Sequence, residues 1–143
     1  MRNESDVVIV DTSVWIDHLN NVITWQTEWL GEALGVRSVA LTDLILFELL
    51  QGIRDESQFV RTRRTMSSLP VFESAGVEVA TQAAEHYRLL RRRGVTVRKT
   101  VDCLVATICL RVGCSILHKD RDYDAYEKHL GLRVIQPVRL RPR

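Results

Sequence analysis

Val7-Val-Ile-Val-Asp11-Thr-Ser13 is the stretch on which the fold turns. Three valines and an isoleucine in succession are stiff at χ1 and pack well on a pleated surface, so Val7–Val10 reads as a strand. No polar residue alternates with them, which points to a strand covered on both faces, as in a parallel sheet. Asp11 ends the run, and Thr12 or Ser13 can cap a helix starting near Val14.

The same grammar repeats along the chain. Trp25, Trp29, Leu30 and Leu34 recur at helical spacing, so a helix is expected to run to about Gly35. Val39-Ala-Leu41 is a second strand. Thr42 can cap a helix through Leu44–Leu50 that Gly52 ends. Residues 55–68 are polar with helical character, Pro70 breaks them, and Val71-Phe72 is a short strand. A helix from about Val77 to Arg93 carries Val79, Ala83, Tyr87 and Leu90 on one stripe and closes at Gly94. Val101–Val112 is apolar nearly all round and reads as a buried helix stopped by Gly113. Ser115–His118 is a strand, Asp120–Asp124 the loop after it, Tyr126–Leu130 a short helix and Leu132–Ile135 a last strand. Strands alternating with helices predict an α/β sandwich with a largely parallel central sheet.

Size and composition agree. The 143 residues, 45% of them hydrophobic, suit a single domain over 1–143 whose core needs no disulfide or metal staple. No secretory segment and no membrane span are legible, so the expected location is cytoplasmic, with no membrane partner. Cys103, Cys109 and Cys114 lack the paired spacing of a zinc site and read as buried, reduced thiols. The net charge of +2 is too small to announce a nucleic-acid binder. Its distribution says more: Arg88, Arg91, Arg92, Arg93, Arg98 and Lys99 crowd together, and Arg139, Arg141 and Arg143 form a second patch. Each is either a phosphate-binding surface or a solvated one.

Acids are informative where apolar sequence surrounds them, because an unpaired buried carboxylate is costly. Asp11 follows the first strand. Glu48 lies between Phe47 and Leu49. Asp102 opens the most apolar helix, and Asp120 follows the Ser115–His118 strand, with Asp122 two residues on. Alone, each could be a cap, a polar stripe or a turn residue. Together they can converge beyond the carboxyl ends of parallel strands, where open α/β sheets bind ligands. Several carboxylates in one crevice cannot all stay ionised without a cation, and hard oxygen ligands select Mg²⁺ or Mn²⁺. Such ions can bind a phosphodiester and activate a water against it.

Asp11-Thr-Ser-Val-Trp-Ile-Asp17, Phe47-Glu-Leu-Leu-Gln-Gly52, Arg98-Lys-Thr-Val-Asp-Cys-Leu-Val-Ala106 and His118-Lys-Asp-Arg-Asp-Tyr123 resemble, in order and spacing, the four motifs of PIN domains, and the length resembles that of VapC toxins of bacterial VapBC toxin–antitoxin pairs. The resemblance implies a PIN-like three-layer α/β/α sandwich with a mainly parallel central sheet and an acidic quartet of Asp11, Glu48, Asp102 and Asp120. Asp11, Asp102, Asp120 and Asp122 would be metal ligands. It implies a Mg²⁺-dependent endoribonuclease, with Mn²⁺ as substitute, that hydrolyses tRNA or another structured RNA. A VapB-type antitoxin would inhibit it, and a homodimer is common in the family. Arg98 and Lys99, near the pocket mouth, and Arg91, Arg92 and Arg93 beyond them are candidates for RNA backbone contacts. No serine or cysteine nucleophile is assigned. Where many members carry Thr or Ser, this chain has His118, which can touch phosphate or pack at the strand end. Trp15 reads as core; Trp25 and Trp29 are either core or interface. The other reading is a catalytically silent PIN-like module that binds RNA or a partner. A dehalogenase-type phosphatase would need an aspartate where Ser13 stands, and a dinucleotide-binding turn would need glycines after the first strand.

Overall fold

The computed structural model describes residues 7–74 and 76–138. The second basic patch, Arg139, Arg141 and Arg143, lies outside the described residues.

The chain order is β1 (Val8–Val10), α1 (Thr12–Leu19), α2 (Trp25–Ala33), β2 (Val39–Thr42), α3 (Asp43–Gln51), α4 (Glu56–Ser67), β3 (Val71–Phe72), α5 (Val77–Arg92), α6 (Thr100–Val112), β4 (Ser115–Leu117) and α7 (Asp122–Leu130). Among the described residues the sheet has four strands in the order β3-β2-β1-β4, and every pairing is parallel. Val8 sits opposite Val39 on one side and Ser115 on the other. β1 is therefore internal, all three of its residues are buried, and the run of β-branched residues without polar alternation is explained.

Helices flank this sheet. α1 packs against α2 and α3, and α3 against α4; α5 packs against α6, and α6 against α7. The core joins Ile9, Val10, Val14, Trp15, Leu41, Ile45, Leu90, Val105, Ala106 and Ile116 into one cluster. Trp15 is core, as its position beside the first strand predicts. Trp25 and Trp29 are half-buried against the cluster, and the Arg37 guanidinium lies 5.5 Å from the Trp29 ring centre. All three cysteines are buried and none is in a disulfide.

Most helix signals act as expected. The Thr42 hydroxyl accepts the Ile45 N–H at 3.1 Å and starts α3. The Asp55 carboxylate does the same for Gln58 and starts α4. Gly113, at φ 78°, takes the left-handed turn that ends α6.

Three boundaries differ. α1 begins at Thr12, with Asp11 in the cap position but making no side-chain cap bond; its carboxylate is engaged elsewhere. α7 begins at Asp122, so Asp122–Asp124 is helix and not loop. Acids in a first helical turn are favoured by the dipole and look like turn residues in sequence. The expected last strand, Leu132–Ile135, is reduced to an isolated parallel bridge between Ile116 and Val134. Ile116 makes both backbone bonds of that bridge, donating to Arg133 and accepting from Ile135 at 2.9 Å each.

Candidate metal centre

A parallel sheet sends the carboxyl ends of its strands to one edge. Asp11 leaves β1 there, and its N–H still pairs with the Leu117 carbonyl at 3.0 Å. His118 to Asp120 leave the neighbouring β4 at the same edge. α6 runs back to the start of β4, which puts its first turn, and Asp102, at the edge where β4 ends. α3 leaves β2 directly and carries Glu48 to the Thr12 hydroxyl, which donates to Glu48 Oε1 at 3.1 Å.

The convergence expected from sequence is met most closely by three of the acids. Carboxylate oxygens of Asp102, Asp120 and Asp122 lie within 4.8 Å of one another. Asp11 joins them through Tyr123, whose hydroxyl lies 2.9 Å from Asp11 Oδ1 and 3.3 Å from Asp102 Oδ1. Glu48 stands off, half-buried, and reaches Asp11 through its charge. Asp120 is held by its own loop: its Oδ1 accepts the Asp122 N–H at 3.0 Å, and His118 Nδ1 accepts the Asp120 N–H at 3.0 Å. His118 is thus a buried strand-end residue whose ring packs 4.7 Å from that of Tyr123. Burial lowers its basicity, so it serves the loop as a neutral acceptor.

Electrostatics set these acids apart from surface carboxylates. Asp11 is pushed up to about 6, mainly by burial, with the Tyr123 bond opposing and Glu48 and Asp120 adding repulsion. Asp102 is pushed up to about 7 by burial and then by Asp11 and Asp120. Burial also pushes Asp120 upward, but the Asp122 N–H and Lys99 outweigh it and hold it below the usual carboxylate range. The Lys99 ammonium lies 2.9 Å from Asp120 Oδ2. Buried beside two carboxylates, the Tyr123 hydroxyl keeps its proton well above its ordinary range and remains a donor.

Asp102 Oδ2 is buried and has no hydrogen-bond partner among the described residues. Buried polar atoms are nearly always partnered, and an unpartnered oxygen beside two more carboxylates is the donor chemistry that suits a cation. The donor set is all hard oxygen, which suits Mg²⁺ or Mn²⁺ and not zinc.

Arg98, Lys99, Lys119 and Arg121 line a cleft of about 640 Å³ that also contains Ser13, Asp120 and Asp122. Arg98 and Lys99 are thus at the mouth of the acid cluster, as their spacing before Asp102 suggests. Arg91, Arg92 and Arg93 are exposed at the end of α5 and do not line this cleft. Lys119 and Arg121 were not singled out in the sequence; their alternation with Asp120 and Asp122 was the available signal. Lys119 also pairs with Asp17 of α1. Tyr123 was missed because its neighbours look like a turn. Two other clefts, of about 420 Å³ beside Ile16, Leu19 and Leu49 and about 550 Å³ beside Ala83, Tyr87 and Leu104, contain none of the cluster acids.

Comparison with known proteins agrees with this geometry. The PIN-domain family model matches residues 8–129, and the chain belongs to that family. The relatives it resembles include VapC ribonuclease Mb1587 of Mycobacterium bovis and ribonuclease VapC11 of Mycobacterium tuberculosis. Each is 28% identical over 130 residues, covering 89% of this chain and 96% of the relative. VapBC2 from Rickettsia felis shares the fold, with a TM-score of 0.71 at 14% identity, over 90% of this chain and 97% of the other. The motif resemblance to VapC toxins thus extends over nearly the whole length of these relatives.

Proposed function

We propose that the chain is a Mg²⁺- or Mn²⁺-dependent endoribonuclease, the toxin of a VapBC-type pair, acting on tRNA or another structured RNA and restrained by a VapB-type antitoxin. The buried, unpartnered oxygen of Asp102 within a three-carboxylate cluster carries the reading. The two mycobacterial relatives, both VapC ribonucleases, support it, and a toxin–antitoxin complex from Klebsiella pneumoniae shares the fold.

Asp102, Asp120 and Asp122 would hold the ion, with Asp11 beside them and Glu48 adding negative charge from α3. When bound, the ion neutralises charge on the phosphodiester oxygens and makes a water acidic enough to attack at neutral pH. The Tyr123 hydroxyl orients Asp11 and Asp102 from below. The Asp122 N–H fixes Asp120, and Thr12 fixes Glu48. Arg98, Lys119 and Arg121 provide positive charge along the path of the RNA backbone, where contacts position the substrate without reading its sequence. The arrangement needs no side-chain nucleophile.

Incubation of total cellular RNA with the purified chain tests this. Discrete fragments with Mg²⁺ or Mn²⁺, and none in EDTA, are expected. Retention of RNA without cleavage under either metal would favour the silent-module reading instead. Arg98→Ala should weaken binding of an RNA held uncut in EDTA and reduce the slope of log affinity against log salt by about 1, one phosphate contact. An unchanged affinity at every salt concentration would remove Arg98 from the interface.

A further inference from the structure

We propose that Lys99 is a built-in counter-ion of the acid cluster, which yields its place at Asp120 when a divalent cation enters. The proposal rests on the reading of the cluster as a metal site and concerns how that site behaves when empty of metal.

Both oxygens of Asp120 are engaged by protein groups. Oδ1 takes the Asp122 N–H, and Oδ2 takes the Lys99 ammonium. Asp102 contributes a buried oxygen with no partner. The cluster is thus neutralised at one carboxylate and left open at another. A divalent ion held by this cluster would meet the ammonium beside Asp120, and two cations so close would repel each other.

Which group gives way follows from how each is held. Asp102 is 4% exposed on the first turn of α6, and Asp120 is pinned by two backbone bonds in the turn after β4. The Lys99 side chain is 64% exposed. It sits on a flexible four-carbon stem, and an ammonium is a point charge without the fixed fork of a guanidinium. It can swing away from Asp120 at little cost within the cleft it already lines with Arg98 and Arg121, so entry of metal would release a cation already facing that cleft from its carboxylate partner.

Lys99 therefore opposes metal binding, which gives the test its sign. Calorimetric titration of the full chain with Mn²⁺ alone, at low salt, is the measurement. Lys99→Met keeps the stem and removes the charge, and it should bind Mn²⁺ roughly fivefold more tightly than wild type. Arg98→Met removes a charge from the same cleft that makes no ion pair with the cluster among the described residues, and should change affinity by less than about twofold. Lys99→Gln is expected to behave as Lys99→Met and takes its place if the methionine variant melts early. Unchanged or weaker Mn²⁺ binding in the Lys99 variants overturns the counter-ion role alone, as does equal tightening by Arg98→Met, which would mean a general field effect. Failure of wild type to take up Mn²⁺ at all would overturn the metal reading and this proposal with it.

Discussion

Asp102→Asn should reduce metal-dependent RNA cleavage on the order of 10²- to 10³-fold, the scale of losing one main electrostatic stabiliser of a transition state. It should do so in a chain that is more stable without metal. Asp102 is buried beside Asp11 and Asp120, and its carboxylate is the group burial and repulsion push up to about 7. The amide keeps the shape and removes the charge that the fold resists. In EDTA at pH 8 its Tm should exceed that of wild type by about 5 °C. The contrast separates a functional carboxylate from a structural one. A structural Asp102 would lose stability on this change and lose cleavage only in proportion to unfolding. Full cleavage by the variant would mean that the cluster is not the active centre.

The second large effect is on stability against pH. Asp11 and Asp102 have folded-state values of about 6 and about 7, above the ordinary value of 3.8. A group whose value is raised on folding stabilises the chain most fully below its unfolded value, and that contribution is lost as pH rises through the folded one. This pair should therefore cost the metal-free chain on the order of 3 kcal/mol between pH 5 and pH 8, offset in part by His86 and His118, whose lowered values favour folding as pH rises through the histidine range. Asp120 is shifted the other way, so its contribution fades only as pH falls through the acid range. Divalent metal binds the deprotonated acids, and saturation with it should flatten or reverse the decline. Thermal melts from pH 5 to pH 8, in EDTA and in Mn²⁺, read both arms. The histidines are common to wild type and Asp102→Asn, so a metal-free Tm that falls no more steeply in wild type than in Asp102→Asn across that window would show that Asp102 is not the strained carboxylate described here.

Much of this was legible in sequence for a physical reason: the internal strand of a parallel sheet has no polar face, and a carboxylate next to it stands out. Asp11, Glu48, Asp102 and Asp120 were visible because each interrupts or ends an apolar run. What was not legible depends on groups that meet only in the fold. The Asp122–Asp124 segment reads equally as a turn or a first helical turn, and only the second puts Tyr123 beneath Asp11 and Asp102. The pairing of Lys99 with Asp120 joins the N-terminal end of α6 to the turn after β4, and no local pattern records it. Leu132–Ile135 has the pattern of a strand, but its backbone engages β4 only at Ile116. Which of the acids lie nearest one another also depends on side-chain directions, and these separate the tight trio from Glu48.

The pairing of β1 with β4 has a consequence for the order of events during synthesis. Val8–Val10 emerges from the ribosome well before its partner Ser115–Leu117, which follows about a hundred residues later. Domains form in the vectorial order of translation only as far as their contacts are already made. Asp11 therefore waits for Asp102, Asp120 and Tyr123, all encoded in the last third of the chain. A nascent chain shorter than this has no assembled acid cluster, so whatever chemistry the cluster supports is switched on only once that stretch has emerged.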